Sequence, residues 1–136
     1  MYNSINDLGI VNNDISNIKM HNGYFDGRQI TINSSYENIV ISTITIDKIG
    51  LYYICGLCRD LTIKDNHYFD ASLWKDNVWL YSNSDKPSGV FELAYMLPYI
   101  AYIDKPTTFS IQARINYVPS GGVIVEGYVS AIKIND

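Results

Sequence analysis

Apolar and polar residues alternate most cleanly between Thr108 and Tyr117. Phe109, Ile111, Ala113, Ile115 and Tyr117 fall on one side, and Ser110, Gln112, Arg114 and Asn116 on the other. A period of two marks a strand with one buried face. From Gly23 onward the chain keeps this grammar, with segments rich in Ile, Val, Tyr and Thr broken by turn clusters. Strands are predicted over Arg28–Ile32, Asn38–Ile46 and Leu51–Cys58, and over Phe69–Trp74 paired with Asn77–Tyr81. Further strands follow at Val90–Leu97 and Tyr99–Ile103, divided near Pro98, then at Thr108–Tyr117, Val123–Val125 and Gly127–Ile134. Ser82 to Gly89 reads as a loop, because it holds Asn83, Asp85, Pro87 and Gly89. No helical pattern lies between the strands, which argues against a parallel α/β fold. The expectation is an all-β, antiparallel sandwich of the jelly-roll kind.

Residues 1–22 differ. Leu8, Val11, Ile15 and Ile18 recur at spacings of three and four, the a and d positions of a short heptad pattern. β-branched residues there favour trimers. The pattern spans only about two heptads, and Gly9, Asn12, Asn13 and Asn17 weaken a helix. The chain thus divides into a lead-in or stalk, helical or extended, over 1–22 and a head over 23–136.

Several strands are apolar on both sides. Leu51, Tyr53, Cys55 and Leu57 stand back to back with Tyr52, Ile54, Gly56 and Cys58, and Val90–Ile103 is apolar on both sides, including Tyr95, Met96, Leu97, Tyr99, Ile100 and Tyr102. A solitary sandwich exposes one face of each sheet and should make it polar. Another copy of the chain is the economical cover, since most oligomers are symmetric homomers. Tyr52, Ile54, Tyr95, Tyr99 and Tyr102 are the candidate subunit-interface residues.

Composition narrows the function. The chain has 136 residues, 47% of them hydrophobic and 18% charged, enough for one cored domain with sparse surface charge. The net charge is -4 and the ten Lys and Arg form no stripe. That disfavours nucleic acid and anionic membrane surfaces as partners. No apolar run approaches the length of a membrane span, and the first residues lack the order of a secretory signal. Synthesis in a cytosol is expected, or the chain is a piece of something longer. Twelve tyrosines suit surfaces that must be both apolar and hydrogen-bonding, such as interfaces and sugar sites.

Few motifs carry chemistry. Cys55-Gly56-Leu57-Cys58 has redox or zinc spacing. It falls in a strand, however, where residues three apart face opposite sides, and no further ligands lie near in sequence. No Gly-x-Ser-x-Gly, phosphate loop or His-Glu-x-x-His occurs. Enzymatic activity, a cofactor and a metal site are therefore not expected. The best candidate for recognition is a glycan site of Trp74, Asn77, Trp79, Tyr81, Asn83 and Asp85. Aromatic rings accept the C–H faces of sugars, while amides and carboxylates take the hydroxyls. In a regular strand Asn77, Trp79 and Tyr81 would share one exposed face, with Val78 and Leu80 turned to the core.

Three stretches resemble a known family. Ile44–Leu57 (ITIDKIGLYYICGL), Tyr99–Ile115 (YIAYIDKPTTFSIQARI) and Gly127–Ile134 (GYVSAIKI) resemble the trimeric jelly-roll heads of bacteriophage tail fibres and receptor-binding proteins. Those heads belong with tumour-necrosis-factor and complement-type globular domains. Lys105-Pro106 stands where many members have Gly-Asp. The resemblance implies a homotrimer at a virion's tail-fibre tip, made in the host cytoplasm, that binds a bacterial surface glycan or protein. The alternative is a structural virion protein that trimerises or caps a fibre without touching a receptor. The resemblance supplies no site residues.

Overall fold

The computed structural model describes residues 23–62, 68–85 and 93–134. Eight strands form two four-stranded antiparallel sheets: β1 (Gly23–Ile32), β2 (Ile39–Ile46), β3 (Gly50–Asp60), β4 (Phe69–Lys75), β5 (Val78–Asp85), β6 (Leu93–Ile103), β7 (Thr107–Ile115) and β8 (Val123–Lys133). The first sheet runs β1-β8-β3-β6 and the second β2-β7-β4-β5. Apart from the β4–β5 hairpin, each connection passes from one sheet to the other. This is the jelly-roll sandwich expected from the strand pattern, and no helix occurs among the described residues. The lead-in over 1–22 lies outside those residues.

The core is the inner face of each sheet. Ile32, Tyr52, Ile54, Leu97, Ile103, Val125 and Val129 meet Ile41, Ile44, Ile46, Phe69, Leu73, Phe109, Ile111 and Ile115, all fully or nearly buried. Two glycines on the first sheet make room for the second. A side chain at Gly56 would strike the Ile111 terminal methyl, and one at Gly127 would strike Ile41. Ile41 gets there because the β2–β7 register slips between Val40 and Ser42, which leaves it unpaired and bulged. The open sides of the sandwich are stitched by hydrogen bonds. Tyr24 donates its hydroxyl to Asp47 (2.7 Å) and the Thr43 N–H donates to Asp26 (2.9 Å) beside β1 and β2, while the Tyr81 hydroxyl donates to the Pro98 carbonyl (2.6 Å) between β5 and β6.

Several boundaries differ from the sequence reading: β1 begins at Gly23 rather than Arg28, β3 extends to Asp60, and β7 ends at Ile115, so Tyr117, grouped there with Phe109, is exposed. The expected strands Val90–Leu97 and Tyr99–Ile103 are one strand over the described part, 93–103, while 86–92 lie outside the described residues. β6 runs unbroken through Pro98 because it is an edge strand, where a missing backbone N–H breaks no second ladder. Val123–Val125 and Gly127–Ile134 likewise fuse into β8. Ser82–Asp85 is strand rather than loop. Its small polar residues pair with Phe69–Ser72 and give the second sheet a polar edge.

The interface expectation needs correction at four positions. Tyr52 and Ile54 are fully buried in the core, and Tyr95 and Tyr99 pack inward, their rings 5.9 Å from Phe69 and 6.2 Å from Phe109. Of the five residues, Tyr102 alone faces outward. Both faces of β3 and β6 are apolar, so composition could not say which was inside. The register decides: Leu51 pairs with Tyr102, Tyr53 with Ile100 and Leu57 with Met96, all on the outer side.

Candidate functional site

The two outer faces have opposite characters. On the first sheet the cross-strand rows read Tyr102–Leu51, Ile100–Tyr53–Ile132, Pro98–Cys55–Ser130–Phe25 and Met96–Leu57–Tyr128. Met96, Ile100 and Tyr102 are 61%, 60% and 62% exposed, so this apolar face is uncovered in the single chain. It ends at a polar rim where Arg59 donates to Glu126 at 2.7 Å. Contiguous apolar surface of this kind marks an association site. Cys55 belongs to this outer face, whereas Cys58 is buried on the inner one, and burial pushes its thiol pKa up. The two thiols are free and back to back, as their strand parity requires.

On the second sheet the outer rows are polar and aromatic. Thr45 meets Thr108, Thr43 meets Ser110, Trp74 and Trp79, and Val40 meets Gln112, Ser72 and Ser82. The last row is Arg114, Asp70 and Ser84. Trp74 donates its indole N–H to the Ser72 hydroxyl (2.8 Å), Ser72 donates to the Gln112 carbonyl (3.3 Å), and Gln112 donates to the Ser110 hydroxyl (3.1 Å). The network holds Trp74 in place, and Trp79 beside it is 54% exposed. The pair forms an aromatic shelf rimmed by hydroxyls and an amide.

Of the six residues proposed for a glycan site, the structure brings together only Trp74 and Trp79. Asn77 sits in the β4–β5 turn, where Asp76 and Asn77 take φ of 48° and 65°, the twist that a two-residue hairpin wants. The expected row of Asn77, Trp79 and Tyr81 is broken by a bulge. Leu73 pairs with Tyr81 and Trp74 with Trp79, so Leu80 is the extra residue and the parity reverses there. Tyr81 and Asn83 therefore follow Leu73 and Ala71 to the other side, and Tyr81 gives its hydroxyl to Pro98. Asp85 is the backbone register partner of Phe69 at the far end of β5. Val78, expected in the core, is exposed.

A second feature lies two rows from the tryptophans, about 13–14 Å at the rise of a strand. Tyr36, Tyr68, Asp70, Ser84, Arg114 and Asn116 line a pocket of about 240 Å³. Tyr36 comes from the β1–β2 connection and Tyr68 from the residue before β4; the others sit on or just past β4, β5 and β7. Tyr36 takes the left-handed φ of 60°, an uncommon state for a tyrosine, and its N–H donates to the Ile115 carbonyl (2.7 Å). The Arg114 guanidinium lies 5.6 Å from the Tyr36 ring centre. The Tyr68 N–H donates to the Asn116 side-chain oxygen, and the Asn116 N–H donates back to the Tyr68 carbonyl (3.3 Å). Loss of water raises the Asp70 carboxyl pKa, and Arg114 partly offsets this. Sequence alternation already turned Arg114 and Asn116 outward. Nothing in one dimension linked them to Tyr36 or Tyr68. Among the described residues, no group of three or more His, Cys, Asp or Glu is placed to hold a metal.

The architecture, two four-stranded antiparallel sheets in a jelly-roll sandwich, is shared with a solved complement globular domain. The chain superposes on the globular domain of zebrafish complement 1qA protein with a TM-score of 0.59. The match covers 83% of this chain and 97% of that one, at 14% sequence identity, a likeness of fold alone. No protein-family model matches the sequence, and no curated protein matches it.

Proposed function

We propose that this chain is a self-associating recognition head. The observation that carries the reading is the contrast between its two outer faces. The apolar face of the first sheet packs against copies of the chain, and the polar, aromatic face of the second remains outside to meet a ligand. The complement-type fold and the sequence resemblance favour closure as a homotrimer. That resemblance also favours a virion setting, at the tip of a tail fibre, with a bacterial surface glycan or protein as target. Trp74 and Trp79 supply the aromatic shelf for such a ligand. The network of Ser72, Ser110 and Gln112 supports the shelf without aligning a nucleophile and base, so binding rather than catalysis is its work. Several weak sites on one trimer would act together and raise the overall affinity.

Light scattering coupled to size exclusion should give three times the 15.4 kDa chain mass. Adsorption to a panel of bacterial cells, with Trp79→Ala beside wild type, tests the ligand face. Loss of adsorption with the trimer intact supports recognition. A trimer that adsorbs to no bacterium points instead to a fibre cap, and a stable monomer removes the reading altogether.

A further inference from the structure

We infer that the pocket between Tyr36, Tyr68, Asp70, Ser84, Arg114 and Asn116 is a second saccharide subsite, which takes one neutral hexose unit through a pair of adjacent hydroxyls. The inference deepens the proposed recognition role and rests on it for the choice of ligand. Size comes first. At about 240 Å³ the pocket is smaller than the roughly 300–1,000 Å³ of sites for drug-sized ligands, so it suits a single small unit.

Charge selects the chemistry. Asp70 and Arg114 are register partners on adjacent strands and sense each other electrostatically, yet they make no ion pair among the described residues. The guanidinium lies over the Tyr36 ring instead. Each charge therefore keeps hydrogen-bonding capacity for a ligand, and the two sum to zero. An anionic sugar would face Asp70, and an amino sugar would face Arg114. A neutral hydroxyl pair donates to the carboxylate and accepts from the guanidinium, which satisfies both. Ser84 and the Asn116 amide nitrogen can take further hydroxyls. The exposed rings of Tyr36 and Tyr68 offer surfaces for the sugar's C–H face.

The walls are set before any ligand arrives. Tyr36 is held by its bond to Ile115, and Tyr68 and Asn116 are tied to each other through side chain and backbone. Such preorganisation reduces the ordering that binding requires. Asp70 is partly stripped of water and has no hydrogen-bond or ion-pair partner among the described residues, which is the condition that ligand hydroxyls relieve.

Saturation-transfer difference NMR on the full chain tests the subsite, with methyl glucoside, methyl galactoside, methyl mannoside, glucuronate and glucosamine as probes. At least one neutral glycoside should bind, more tightly than either charged sugar. Asp70→Asn and Tyr68→Ala should each weaken it about tenfold, while Ile49→Ala, at an exposed position between β2 and β3, leaves it unchanged. Tyr68 lies outside the regular strands, so Tyr68→Ala checks the result independently of β4. The proposal is overturned if no neutral glycoside binds, if a charged sugar binds as well, or if neither pocket variant changes the signal. Adsorption of the wild-type chain to bacteria, run in parallel, separates the two readings. Hexose binding without adsorption keeps the subsite and removes the recognition role; adsorption without hexose binding does the reverse.

Discussion

Replacing Gly127 with alanine is the sharpest test of how the two sheets fit. A Cβ at this position would lie 2.5 Å from the Ile41 Cγ2 and 2.7 Å from its Cβ. Carbon atoms pack comfortably at about 3.5–4.0 Å, so roughly 1 Å must be found. Ile41 is 2% exposed and anchored in a bulge, and the 2.7 Å contact is to its Cβ, the root of the side chain, so a rotamer change alone does not clear the clash. Overpacking of this kind costs about 1–3 kcal/mol. The alanine also restricts the unfolded chain, which returns about 0.4–1 kcal/mol. The midpoints of the two ranges leave a net loss of about 1.3 kcal/mol. For a domain of this size that corresponds to a fall in melting temperature of roughly 3–10 °C. The assay is urea unfolding followed by fluorescence, since Trp74 and Trp79 lie on the sheet opposite. Ile41→Ala should also destabilise by itself. In the double variant the deleted methyls make room for the new one, so its loss should fall short of the sum of the singles by about 0.5–3 kcal/mol. Gly121→Ala is the control, because a Cβ there meets nothing within 4 Å and only its φ of 92° is at issue. Gly127→Ala within 0.5 kcal/mol of wild type, or a strictly additive double variant, would refute the packing argument.

Ile100→Glu places a charge in the middle of the apolar outer face and should convert a trimer to monomer at micromolar concentration with the fold intact; analytical ultracentrifugation beside circular dichroism reads both. Thiol labelling of the native chain should modify Cys55 and spare Cys58, with Cys55 labelling slowing as protein concentration rises. Equal labelling of both thiols would contradict the burial of Cys58. Because its folded-state pKa is raised, ionised Asp70 subtracts stability at neutral pH, and protonation removes that penalty. Asp70→Asn should therefore melt higher than wild type at pH 7. The gap should shrink as pH falls through the raised value and vanish below the ordinary carboxylate value of about 3.9; a gap independent of pH, read by calorimetry, would show that the carboxyl is not its source.

The strand grammar from Gly23 onward, the inward set of Phe109, Ile111, Ala113 and Ile115, and the excess of apolar strand faces were all legible in one dimension. Alternation with period two is a local property, and any strand that buries one face must show it. Which face of β3 and β6 is buried was not legible, because Tyr52 and Tyr53, or Tyr99 and Ile100, are equally apolar and only the register against β8 and the opposite sheet separates them. The same holds for the glycan row. Asn77, Trp79 and Tyr81 share a face only in a regular strand, and the bulge at Leu80 arises from pairing with β4, which the residues of β5 alone do not reveal. The pocket is the extreme case. Tyr36, Asp70 and Arg114 are far apart along the chain, and antiparallel pairing together with one left-handed backbone turn gathers them. Local periodicity, in short, determined that this protein is a sandwich with more greasy surface than one copy can hide. Long-range pairing decided which surface that is, and which residues stand together on the other side.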